Sequence, residues 1–138
     1  MTSADENLEI LGEIDLSDLD SCAHFFADSI VWHVFNPASP DMHGDYEGLD
    51  GLREMHEKLQ TMSQGTLETH PIGGLTIGDE LLFTQTVVTF ERGGRLFEYD
   101  AATTWRIVDG KVAEVWDIPA VYTVRDVTDD PGEDDDEE

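Results

Sequence analysis

Residues 95–118 read RLFEYDAATTWRIVDGKVAEVWDI, and their reading decides the fold. The first fourteen, 95–108, form one long strand with two different faces. One parity holds Phe97, Tyr99, Ala101, Thr103, Trp105 and Ile107; the other holds Leu96, Glu98, Asp100, Ala102, Thr104 and Arg106. Side chains alternate across a strand, so the first set faces the protein interior and the second faces solvent or a partner subunit. Asp109-Gly110 is a two-residue hairpin signal that turns the chain back into a strand beginning at Lys111. The mixture of aromatic rings with Ala and Thr suits a pocket wall, whereas a packed core uses more Leu, Ile and Val.

Upstream, ELLFTQTVVTFE (80–91) is a second long strand, joined to the first through Gly93-Gly94, another hairpin signal. TLETHPI (66–72) is a shorter strand that Pro71 interrupts. Before these strands the pattern is helical. Leu52, Met55, His56, Leu59 and Met62 mark one helix, with Asp50 as cap and Gly65 as stop. Leu16, Leu19, Cys22, Ala23 and Phe26 mark an earlier one, capped by Asp15 or Ser17. Leu8, Ile10 and Leu11 add a shorter N-terminal turn. Between the helices, SIVWHVF (29–35) reads as a strand and NPASPDMHGDYEG (36–48) as a loop. Helices followed by a strongly curved antiparallel sheet make an α+β layout.

The 138 residues suffice for one domain with a real core, expected over 1–125. The remaining stretch, 126–138, carries nine acids, no base and no aromatic residue, and is expected to be disordered. Residues 1–20 add seven acids and no base. The whole chain has 32 acidic against 7 basic residues, a net charge of −25. Nucleic acid and anionic membranes are excluded as partners, because phosphate binding needs Lys and Arg. An acid-rich chain with only two lysines, Lys58 and Lys111, also fits a salty cytoplasm, where screening removes self-repulsion. No apolar run is long enough for a signal peptide or membrane span, so the protein is read as cytoplasmic. The single Cys22 excludes an internal disulfide.

The order IVWHVFNPASPDMHGDYEGLDGL, then GTLETHPI, then TTWRIVDGKVAEVWDI resembles the SnoaL-like branch of the nuclear-transport-factor-two-like superfamily. Ketosteroid isomerases, limonene epoxide hydrolase and polyketide cyclases share this scaffold. The resemblance spans roughly residues 14–122. It implies a cone-shaped domain: a curved, mixed sheet wrapped on N-terminal helices, enclosing an apolar cavity and often forming a homodimer through the outer sheet face.

Against that scaffold, His33 falls at or near the isomerases' general-base carboxylate, and its parity, shared with Val31 and Phe35, is expected to point into the cone. The isomerases' second acid falls on Thr103, whose hydroxyl is a weaker donor, and their helix tyrosine has no counterpart before Tyr46. Asp117 shares the parity of Val115 and Pro119 and either enters the cavity, where it can take a proton or orient His33, or turns to water at a strand end. The resemblance thus implies a cofactor-free enzyme acting on a small apolar molecule. Proton transfer next to a carbonyl would fall to His33, Asp117 and Thr103, with Val31, Phe35, Phe97, Tyr99, Trp105 and Val115 around the substrate. A binding or dimerisation module without turnover is the alternative. His43, beside Asp41 and Asp45, lacks the paired spacing of a dedicated metal site, so no metal is expected.

Overall fold

The computed structural model describes residues 4–128. Among the described residues, three helices and six strands follow in the order α1 (Ala4–Glu13), α2 (Leu19–Cys22, flanked by short 3₁₀ turns), β1 (Phe26–Val34), β2 (Gly44–Glu47), α3 (Gly48–Ser63), β3 (Glu68–Ile77), β4 (Leu81–Arg92), β5 (Arg95–Val108) and β6 (Lys111–Asp126). The strands lie in the order β2-β1-β6-β5-β4-β3. Every neighbouring pair is antiparallel except β1 and β6, which run parallel. The sheet is therefore mixed, curved and unclosed.

Both hairpins form where the dipeptides place them. Gly93 and Gly94 have φ of 60° and 77°, and Asp109 and Gly110 have 51° and 80°. Two successive positive φ values are what a turn of this hand requires, and they match the twist of the strands it joins. Strand β6 is bent by a bulge. Glu98 pairs with Arg125 but Asp100 pairs with Ala120, so the extra β6 residues arch outward. Thr123 Oγ1 accepts from Asp100 N and donates to Ala120 O inside the arch, and Tyr122 is left 89% exposed.

Helix α3 covers the inner face at the β1–β2 end. Leu52 and Met55 are fully buried against Ile30, Trp32, Tyr46, Leu82 and Val115. Truncating Leu52 to Ala removes about 2–5 kcal/mol, the usual range for such a site. Gly51 lets the helix approach closely, since a Cβ there would lie 2.9 Å from the Tyr46 carbonyl carbon.

Several boundaries differ from the sequence reading. The segment 44–47 is the edge strand β2, paired with β1, rather than loop; its polar residues hid a strand whose edge faces water. The helix expected over 16–26 is one α turn between two 3₁₀ turns, with Asp15 accepting from Ser17 N at its start. Asp50 sits within the first turn of α3 instead of capping it, and Gln64, at φ 56°, ends that helix one residue before Gly65. Strand β3 continues past Pro71 through a register shift before Gly73. At the other end, Val127 N donates to Leu96 O and Leu96 N to Thr128 Oγ1, so the chain stays attached to the sheet through residue 128. The rest of the expected disordered tail, 129–138, lies outside the described residues. No described helix is long and apolar enough to cross a membrane.

Candidate functional site

The register writes out the inner wall row by row. Leu82, Trp105 and Val115 lie side by side across β4, β5 and β6, with Trp32 beside Val115 on β1. The next row is Thr84, Thr103 and Asp117, followed by Thr86, Ala101 and Pro119, then Val88 and Tyr99, then Phe90 and Phe97. Large rings thus bracket two rows of small or polar side chains. The expected wall residues Phe97, Tyr99, Trp105 and Val115 all lie on this face.

Asp117 is the centre of the polar row. Its Oδ2 accepts from Trp32 Nε1 at 3.3 Å and its Oδ1 from Thr103 Oγ1 at 3.4 Å. Burial pushes its carboxyl up to about 6, against the opposing pull of the Trp32 and Thr103 bonds. Asp117 as a residue is only partly buried. Burial, and then the charge of Asp117, push the Tyr99 hydroxyl up to about 12. Tyr99 therefore stays protonated at neutral pH, and its hydroxyl can donate a hydrogen bond. Trp105 Nε1 donates to Thr84 Oγ1 at 2.9 Å and meets Trp32 edge to face at 5.3 Å.

His33 is elsewhere. Ile30, Trp32 and Val34 are the buried positions of β1, so the alternation turns His33, Val31 and Phe35 to the opposite, outer face. There His33 Nδ1 is 2.7 Å from Asp45 Oδ1 and Nε2 is 2.6 Å from Glu114 Oε2. Its ring stacks on Trp116. Burial works against the charged ring, but the bonds to Glu114 and Asp45 outweigh it and raise the His33 pKa. The inward orientation expected for His33, Val31 and Phe35 is therefore corrected, and Asp117 does not orient the imidazole. The physical reason is apolar area: Ile30, Trp32 and Val34 together bury more of it than Val31, His33 and Phe35 would.

Phe35, 58% exposed, instead lines an outer groove of about 620 Å³ with Phe83, Ala102, Ile118 and Tyr122. Sequence reasoning missed Trp32 on the inner wall, together with Leu82, Thr84, Thr86, Val88 and Phe90 from β4. The signal for Trp32 was present in the parity of Ile30, Trp32 and Val34, the most apolar alternate set in that strand.

Residues 11–115 match the SnoaL-like domain. No curated protein matches the chain in sequence. In structure it is similar to Bal32a from a soil-derived mobile gene cassette, with a TM-score of 0.76 and 19% identity over 88% of this chain and 95% of that one. It is similar to TerC, co-crystallised with polyporic acid, with a TM-score of 0.73 and 15% identity over 85% and 93% of the two chains. An NTF2-like protein from Burkholderia xenovorans LB400 aligns with a TM-score of 0.67 and 16% identity over 89% and 95%. At these identities the likeness concerns the fold alone, while the sequence match covers most of the chain. The protein belongs to the SnoaL-like family, within the NTF2-like fold.

Proposed function

We propose that the protein binds a small, largely apolar carbonyl compound on the inner face of its sheet and moves a proton next to that carbonyl, with Asp117 as the acid–base group. The observation that carries this reading is the Asp117 carboxyl, bound by Trp32 and Thr103 on an otherwise apolar wall. A carboxyl that titrates near 6 is ionised at neutral pH, yet gives up little driving force as a base. Tyr99 is the donor for the developing oxyanion, because its phenol remains protonated. Trp105, Phe97 and Val115 supply apolar contact. Thr103 has a supporting role: its hydroxyl donates to Asp117 and is thus committed away from the substrate. Proton transfer of this type needs no cofactor.

Solvent deuterium exchange tests the reading. The protein is incubated in D₂O with a panel of cyclic ketones and polyketide-like diketones, and loss of the proton next to the carbonyl is followed by NMR. Exchange by wild type that falls about 100-fold or more in Asp117→Asn is the expected result. Equal exchange by both overturns it. A binding module without turnover is the second reading, favoured by Thr103 standing where the isomerases place an acid. Ligand-dependent shifts of wall residues without any exchange would decide for it.

The outer face carries a further part of the proposal. Phe35, Ile118 and Tyr122 are exposed together around the groove, between charged residues such as Asp100. An apolar centre with a polar rim fits a homodimer interface.

A further inference from the structure

The parallel pairing of β1 with β6 holds the edge hairpin β1–β2 to the rest of the sheet, and it is short. Val31, Trp32, His33 and Val34 pair with Glu114, Val115, Trp116 and Asp117, while the register shifts between Phe26 and Val31. Parallel pairs are also slightly weaker per residue than antiparallel ones. Phe26 pairs with Val112 beyond the shift, and Phe35 N extends the pairing by donating to Asp117 O at 2.9 Å, so the aim of Trp32 at Asp117 is set within this short parallel stretch and by its edge contact with Trp105. Within the stretch the two faces carry different side-chain ties: Trp32 to Asp117 inside, and His33 to Glu114 outside.

We propose that His33 is a positioning residue: the Asp45–His33–Glu114 chain on the outer face fixes β1 against β6 and so aims the Trp32 indole at Asp117 on the inner face. This inference rests on Asp117 being the acid–base group of the site. Both ring nitrogens of His33 face carboxylates, so both bonds are satisfied only when the ring is an imidazolium and each N–H donates. Deprotonation leaves one lone pair facing an anionic oxygen and loosens one side of the chain.

The charged groups facing His33 are Asp45, with Glu47 further along the same side of β2, and Glu114 on β6. Arg106, opposite Glu114 on β5, pairs with Glu80 at 3.6 Å. The chain is therefore net acidic, which favours the protonated ring; the bonds raise the His33 pKa accordingly. As pH rises through that raised value, the outer tie weakens and the hold of Trp32 on Asp117 weakens with it.

The test uses the unliganded, ¹⁵N-labelled protein, so its outcome is separate from that of the exchange experiment. The three indole N–H resonances are identified with Trp32→Phe and followed from about pH 4 to about pH 9. Wild type is expected to show two inflections at the Trp32 indole, one from Asp117 near 6 and one at the higher pH where His33 loses its proton. In His33→Gln the upper inflection should vanish and the Asp117 inflection should move to higher pH, because a misaimed donor stabilises the carboxylate less. Glu114→Gln, which leaves the imidazole in place, should move the Asp117 inflection the same way and serves if His33→Gln does not fold. A Trp32 indole that titrates as in wild type in a folded variant, whatever its melting temperature, overturns the proposal.

Discussion

The Trp32 indole donates to the carboxylate of Asp117 at 3.3 Å, joining residues 85 positions apart in the chain on adjacent parallel strands. This bond stabilises the ionised carboxylate against the cost of its burial. Removing it with Trp32→Phe should raise the Asp117 midpoint above its value of about 6 by roughly one unit, since a hydrogen bond to a charged group contributes about 1.5–3 kcal/mol. The measurement is a ¹³C titration of the side-chain carboxyl. An unchanged midpoint would show that the indole contributes nothing to the charge balance of the site.

Asp117 also shapes the pH dependence of stability. Its folded value, about 6, lies above the ordinary 3.8. The folded state therefore holds this proton more tightly than the unfolded chain. The favourable contribution is complete below about pH 4 and disappears as pH rises through 6. Asp117→Asn removes the penalty, so its stability relative to wild type should improve between pH 4 and pH 8. The change is about 3 kcal/mol from the size of the shift, offset by any hydrogen bonding lost. Urea unfolding of both proteins at the two pH values checks it; a constant difference would mean that Asp117 is not held in the apolar surroundings described.

The strand pattern of residues 80–118 could be read almost completely, because turn chemistry and alternation are local. Gly93-Gly94 and Asp109-Gly110 fix two hairpins, and the parity of Phe97 to Ile107 places the wall. The faces of β1 could not be read with the same security. Ile30, Trp32 and Val34 are the more apolar alternate set, but Val31 and Phe35 flank His33 and keep the margin small; the pairing with a strand some 80 residues later settles the face. Alternation placed Thr103 of β5 on the wall and left Asp117 of β6 open between the wall and water; the β5–β6 register brings the two side by side. Strand β2 was hidden because an edge strand of four polar-rich residues has almost no apolar signature.

Self-association should depend on the outer groove. Tyr122→Asp or Ile118→Asp places a charge amid Phe35 and Phe83 without touching the inner wall. Each should convert a wild-type dimer to monomer in sedimentation at micromolar concentration. A wild-type monomer, or dimers in both variants, would rule this face out as the interface.

The acidic surface gives an expectation for salt. At a net charge of −25, self-repulsion opposes the compact state, and screening relieves it over a Debye length of about 8 Å at physiological ionic strength, shorter in stronger salt. The melting temperature should rise steadily with KCl toward molar concentration. A protein that is fully stable in dilute buffer and gains nothing from KCl would remove the argument for adaptation to a salty interior.

The parallel pairing of β1 with β6 also governs when the molecule can finish folding. Trp32 must wait for Val115, its register partner 83 positions later. At ribosomal rates of about 5–20 residues per second, that delay is on the order of 4–17 s. Throughout it, the apolar side of β1 and the face of α3 that covers it have no sheet to complete. Non-local pairing of this kind is also slow to form once both strands are present. The nascent chain is therefore most open to aggregation and to chaperone capture during translation of β3 to β5, and the last strand made closes the first.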